Sequence, residues 1–381
     1  MTGAEALLDA FINANILFLI GYGLWMLVRA AMRPAGLSQA FGVHLHLLHA
    51  IFIAIVVAPL VVACVRAMQQ AGLAQGMTVN LSDAVVAYYL NGGFEMKASE
   101  FEALVLMRDG FAFNLLNANG FLAQAVIAVF LAGVVIGLIR LAHSVICLYR
   151  IVAHSYAWRG TRRIRIRLSD RTLVPFSTRG LWRYYVVIPS HMLGNSDELK
   201  VALAHEFQHI RQGDLEWEVA LEALKPLFFF NPAYRAWKVQ VECLRELNCD
   251  KQVLSRGTIH VRSYCETLLS VCQKTLRRDR AFVMAVPKVT LVTADRVSRL
   301  RGGQSFLEQR ITSAIEARQP RRQRLIFCAL AVPLLAVMTL TGLAIQSPGD
   351  WSHDRLMLST VVNLDRLDEI NRLSAFGRVR N

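Results

Sequence analysis

Four long apolar runs constrain this chain more than any other feature. They extend from Phe11 to Val28, Leu47 to Val65, Phe121 to Ile139 and Leu325 to Ile345. Each approaches the roughly 20 residues that a helix needs to cross the hydrocarbon layer of a bilayer. A helix is the natural form there, because a spanning backbone has no water to bond and must satisfy its own amides. Composition agrees, since 54% hydrophobic residues and a positive mean hydropathy are too apolar for a soluble chain of 381 residues. The first run holds Asn13 and Asn15 at its outer end, lacks a basic stretch before it, and is followed by Arg29 and Arg33. It reads as a span and not as a signal peptide.

Charge asymmetry predicts the orientation, because short loops rich in Lys and Arg stay in the cytoplasm. Residues 67–118 carry five acidic side chains against Lys97 and Arg108, whereas residues 143–324 carry 31 basic and 16 acidic residues. The expected map is therefore two spans within 1–66, an extracytoplasmic loop at 67–118 and a third span within 119–142. A cytoplasmic domain at 143–324, a fourth span at 325–345 and a short extracytoplasmic tail at 346–381 follow, with both termini outside. The excess of positive charge is accounted for by this rule and by attraction to anionic lipid, so no direct nucleic-acid binding is expected. The seven cysteines contain no C-x-x-C pair, and those in a cytoplasmic domain are expected to stay reduced.

Within the cytoplasmic segment stands His205-Glu206-Phe207-Gln208-His209. Two histidines four apart on a helix face one way and can share a metal ion, and the intervening glutamate can reach a water on it. Asn195 followed by Glu198 reads as a capping box, and Leu199, Leu203, Phe207 and Ile210 continue at helical spacing. Gly213 suits a left-handed helix end, and Asp214 opens the next element. A catalytic zinc site usually has a third protein ligand. Glu246, 37 residues after His209, supplies it from a second helix that begins after Asn231-Pro232. Asp250, four residues further on, shares its face and can accept the outer N–H of a ligating histidine; Asp214 is a candidate for the same supporting role. Cys249 is set aside as a ligand because two histidines and a glutamate already complete such a site.

Several further segments stand in one order around this motif: Val174-Pro175, Gly180, Val187-Ile188-Pro189, Gly213-Asp214, Phe230-Asn231-Pro232, Arg245-Glu246-x-x-Cys249-Asp250, Tyr264, Leu268-Leu269 and Leu307-Glu308-Gln309-Arg310-Ile311. From Val174 to Ile311 the chain resembles the BlaR/MecR type of integral-membrane zinc metallopeptidase, metallopeptidase family fifty-six. The resemblance implies an α-helical membrane protein with four transmembrane helices and a cytoplasmic α+β domain of the gluzincin type, in a bacterial inner membrane. It implies one Zn2+ per chain, with His205, His209 and Glu246 as ligands and Glu206 as the catalytic base. It also implies regulated, site-specific proteolysis, of the chain itself or of a winged-helix transcriptional repressor, and an oligomer is compatible with it. The alternatives are a quality-control protease of the HtpX kind and a zinc-stabilised signalling scaffold. Against the scaffold stands Glu206, a base that a structural site does not need.

The antibiotic-sensing members carry a large penicillin-binding domain after the last span, and 346–381 is too short for one. Leu364, Leu367, Ile370 and Leu373 fit an amphipathic helix on the membrane surface there. Ile164 and Ile166 alternate with arginines and Tyr184, Tyr185, Val186, Val187 and Ile188 are β-rich, so short strands should precede the zinc helices. By analogy with the resembling proteins, Tyr184–Ile188 is expected to be an edge strand that receives an extended peptide. Tyr184, His260, Arg262 and Tyr264 are candidate donors to an oxyanion. The arginine-rich segment from Leu276 to Ser305 is a candidate for self-cleavage. Leu224 to Phe230 is apolar but too short to span, and is expected to rest on the membrane surface. His44, His46 and His49 do not share one helical face and are read as interfacial anchors.

Overall fold

The computed structural model describes residues 3–72, 81–93, 96–277, 306–316, 322–345 and 353–378. The self-cleavage candidate therefore falls almost wholly outside the described residues. Helices α1 (Gly3–Met32) and α2 (Phe41–Gln70) are followed by α3 (Leu81–Leu90), α4 (Ala98–Leu116) and the long α5 (Gly120–Ala153). Four short strands come next, β1 (Tyr156–Gly160), β2 (Ile164–Ser169), β3 (Phe176–Arg179) and β4 (Tyr184–Pro189). Then come α6 (Ser196–Gln212), α7 (Asp214–Leu224), α8 (Pro232–Leu254), α9 (Val261–Arg277), α10 (Phe306–Ile315), α11 (Gln323–Ala344) and α12 (His353–Arg378). Four of these helices, α1, α2, α5 and α11, are long and apolar enough to cross a membrane. They contain the four runs read from the sequence, except that α11 stops one residue short, at Ala344.

The chain divides into two compact units. One comprises Met1–Gly23, Ala50–Phe130 and Ala331–Asn381. Here α12 packs on α3 and α4 through Leu358 and Val362, which are buried with Val86, Ala98 and Phe101. Leu364, Leu367 and Ile370 lie outside that contact and are more than half exposed. The helix is thus held by a packed face and leaves a second apolar stripe uncovered.

The other unit comprises Leu24–His49 and Leu131–Leu330. It takes in the end of α1, the start of α2 and most of α5. Arg29 donates to Gln240 (3.0 Å), and Lys251 donates to the Gln39 carbonyl (3.1 Å). His49 stacks on Trp217 with ring centroids 3.9 Å apart. His49 is buried against Trp217 and so joins α2 to α7, and His44 is buried as well.

The sheet order is β1-β2-β4-β3, with β2 and β4 parallel and the outer pairs antiparallel. Tyr184–Ile188 is therefore an interior strand, paired with Ile164–Leu168 on one side and with β3 on the other. Its backbone groups are used in both ladders, which corrects the edge-strand expectation. The edge beside the histidine helix is β3. α5 ends at Ala153, and Tyr156–Trp158 belong to β1.

Val186, Ile188 and Met192 make a core with Leu199, Leu203, Phe207 and Ile210 of α6. The helical spacing seen in the sequence is thus the face of α6 that lies on the sheet. A different face meets α8 and α9 through Val201, Cys249, Val253 and Tyr264. In α8, Tyr234 and Trp237 are fully buried; aromatic side chains of that size each contribute roughly 4–6 kcal/mol of transfer free energy. Histidine-bearing α6 is clamped between sheet and helices, which gives its side chains fixed directions.

Candidate metal centre

The ends of α6 set the positions of both histidines. Asn195 Oδ1 accepts from the N–H groups of Asp197 and Glu198 (3.1 and 3.2 Å), which satisfies two of the free donors of the first turn. The Asn195 N–H donates to the Met192 carbonyl (3.2 Å), and Glu198 accepts from the Ser270 hydroxyl (2.8 Å). Gly213 closes the helix with φ 74° and ψ 22°, its N–H donating to the carbonyls of His209 and Ile210. A side chain at this left-handed position would be strained. The turn aims the next residue, Asp214, back at the helix, where its Oδ2 lies 2.7 Å from His209 Nδ1.

His205 Nε2 and His209 Nε2 are 3.1 Å apart. Glu246 Oε2 lies 3.3 Å from the first and Oε1 3.6 Å from the second. Ligand atoms about 2.0–2.1 Å from a tetrahedral ion are separated by about 3.3 Å, so these three groups outline one face of such a site. A second combination is also present. His205, His209 and Cys249 bring ligand atoms within 4.8 Å of one another, and Cys249 Sγ stands 3.5 Å from His205 Nδ1. Both sets contain the histidine pair and differ in the third donor.

Around these groups lies a network that the sequence reading saw only in part. The Tyr264 hydroxyl donates to Asp250 and lies 3.0 Å from His205 Nδ1, while Asp250 Oδ1 is 3.4 Å from that nitrogen. Asp250 thus reaches His205 chiefly through the tyrosine. Arg310 of α10 donates from Nε to Asp250 Oδ2 and from Nη2 to Oδ1, each at 2.6 Å, and its Nη1 lies 3.3 Å from Glu246 Oε2. Arg245 pairs with Glu218 at 3.0 Å and comes within 4.0 Å of Glu246. In the sequence Arg310 is one residue of the segment Leu307-Glu308-Gln309-Arg310-Ile311. Its one legible signal is a lone cation in the otherwise neutral stretch that closes α10.

Electrostatics reflect this crowding. Burial opposes charge on His205, but Cys249 and Glu246 outweigh it and push its pKa up to about 10. Burial likewise opposes charge on His209, and Cys249 and Asp214 reverse it, raising the imidazole well above its usual value. Burial would raise Glu246; hydrogen bonding from His205 and the charges of His209 and Arg310 instead hold it well below the usual carboxylate range. The pocket favours positive charge at the two imidazoles and negative charge on Glu246, the pattern expected where a cation is to be held.

A cavity of about 390 Å³ opens on these groups. Glu206 lines it beside His205 and His209, as do Phe176–Arg179 of β3, Glu218 and Val219 of α7, and Leu141, Ser144, Val145 and Leu148 of α5. The four suggested oxyanion donors fare differently. Tyr264 reaches the cavity but is committed to Asp250; Tyr184 donates to Glu216 at 2.5 Å, and Arg262 is an exposed partner of Glu266. Tyr184, His260 and Arg262 do not line the cavity.

Among known proteins, the family described as BlaR1 peptidase M56 matches residues 7–300 of this chain. No curated protein matches it.

Proposed function

The chain belongs to the BlaR1 peptidase M56 family, a family of membrane-associated metallopeptidases, and from that premise we propose that it is a zinc endopeptidase of regulated proteolysis. Its ligands are His205, His209 and Glu246, and its base is Glu206. The observation that carries this reading is the triangle of 3.1, 3.3 and 3.6 Å drawn by the two Nε2 atoms and the Glu246 carboxylate. Glu246 is preferred to Cys249 because Arg310 and Arg245 orient its carboxylate, whereas the thiol stands by Nδ1 of His205, the nitrogen occupied by Tyr264.

Zinc in such a site supplies a Lewis acid and brings the pKa of a water toward neutrality. Glu206 accepts the proton of the attacking water and returns it to the leaving amine nitrogen. Asp214 holds the Nδ1 proton of His209, so that Nε2 keeps its lone pair, and Tyr264 with Asp250 does the same for His205. Arg310 orients Asp250 and Glu246 together. The substrate is an extended peptide that adds to the free edge of β3, which lines the cavity, in place of the interior strand β4. The catalytic unit faces the cytoplasm, as the positive-inside rule requires. The substrate is the chain itself or a cytoplasmic repressor.

The test compares wild type with Glu206→Ala in membranes supplied with zinc, following fragments of the chain and of a co-expressed winged-helix repressor by intact mass. Cleavage in the wild type alone supports the reading. Equal cleavage in both, or none in either with every candidate substrate while both hold one zinc, refutes it.

A further inference from the structure

The turn between α7 and α8 lies against α5 at two glycines. A Cβ built on Gly133 would stand 2.1 Å from the Phe229 ring, and one on Gly137 would stand 3.0 Å from Pro226. The loop thus occupies the space that side chains would take at those two positions. α5 is one of the candidate spans, and its first charged residue after the apolar run is Arg140. Gly133 precedes Arg140 by seven residues, about 10 Å along the helix at 1.5 Å per residue. We infer that residues Pro226–Phe230 form a re-entrant turn that dips into the leaflet on the catalytic side, its backbone covered by α5 and its exposed side chains Leu227 and Phe230 in lipid hydrocarbon.

Part of the turn's backbone is paired within the protein. Leu227 and Phe228 donate their N–H groups to the Leu224 carbonyl, Asn231 donates to the Phe228 carbonyl, and Pro226 has no N–H to satisfy. The Tyr234 hydroxyl donates to the Leu221 carbonyl, and Asn231 Oδ1 takes the first free amides of α8. Non-helical backbone at membrane depth requires this internal pairing and cover from a neighbouring helix, and α5 supplies the cover. The side chains match as well. Pro226 and Phe228 are buried, while Leu227 (41%) and Phe230 (49%) are exposed apolar groups at the tip. Lys225, at the mouth of the turn, is exposed and pairs with Glu222, a position from which its ammonium can reach the headgroups.

This inference rests on the reading of α5 as a membrane span, and it deepens the proposed function. The cavity wall includes Leu141, Ser144, Val145 and Leu148, the residues of α5 that follow directly on its apolar run. With the turn inserted, the cleft opens at the lipid boundary and takes an extended segment next to a membrane helix. A free cytoplasmic peptide would have to approach the same surface.

The full-length protein is prepared with an environment-sensitive fluorescent amino acid, encoded at an amber codon, in place of Phe230 and, separately, Leu227. It is reconstituted in phosphatidylcholine–phosphatidylglycerol vesicles. Ile136 on α5 (52% exposed) serves as the lipid reference and Leu181 (84% exposed) as the water reference. We expect acyl-chain nitroxide lipids to quench positions 230 and 227 as strongly as Ile136, and aqueous iodide to quench them at least about threefold less than Leu181. Iodide quenching equal to that at Leu181 would overturn the inference. So would quenching by headgroup nitroxides alone, which would leave the turn lying on the surface. The readout is depth and not cleavage, so an inactive enzyme and a wrong insertion give different results.

Discussion

Replacing Arg310 with methionine removes a guanidinium that is 2% exposed and holds two carboxylates at once. Asp250 would lose both charge-assisted bonds of 2.6 Å, and Glu246 would lose a cation 3.3 Å from Oε2. Breaking a buried pair leaves an uncompensated charge and costs about 3–5 kcal/mol. In a unit of roughly 150–250 residues that is about 2–4 °C of melting temperature per kcal/mol, so Arg310→Met should melt about 6–20 °C below wild type. Tryptophan fluorescence during heating in detergent reads this directly. The loss should be larger with chelator than with zinc, because a bound cation compensates Glu246 in part. Adding Asp250→Asn removes the orphaned charge, so the double variant should be at least about 2 kcal/mol more stable than the sum of the two single losses. A melting point for Arg310→Met within about 2 °C of wild type, or strict additivity with Asp250→Asn, would refute the view that this ion pair secures the site.

Asp214→Asn should weaken metal affinity by about 10–100-fold in a chelator competition, because the amide no longer fixes the His209 tautomer; unchanged affinity would mean that the 2.7 Å contact is incidental. Cys249→Ser should keep one zinc per chain by mass spectrometry, and Glu246→Gln should lose it; the reverse pattern would make the thiol the third ligand. In the metal-free protein, His205 has a pKa of about 10 against an ordinary 6.5. Its protonation therefore stabilises the fold fully below about pH 6.5, and that contribution is lost as pH rises through about 10. Because a metal takes the neutral imidazole, adding zinc at pH 8 should release at least about one proton per ion into a weakly buffered indicator, and zinc binding without release would contradict the assignment.

Periodicity and end signals in the sequence alone determined the spans, the histidine helix and the second helix bearing Glu246. These are local properties. An apolar run of bilayer length, an Asn at a helix start, a Gly past its end and histidines four apart each act within one or two turns. The same locality explains the failures. Tyr184–Ile188 is β-rich wherever it stands in a sheet, and only pairing on both sides made it interior and gave the edge to β3. Arg310 lies 60 residues from Asp250 in the chain, and no pattern within a window connects them. His49 reads as a polar residue at a span end until Trp217 of α7 stacks on it. Tertiary structure decided which charges meet, because a buried carboxylate takes whatever counter-charge packing delivers to it, from any distance along the chain.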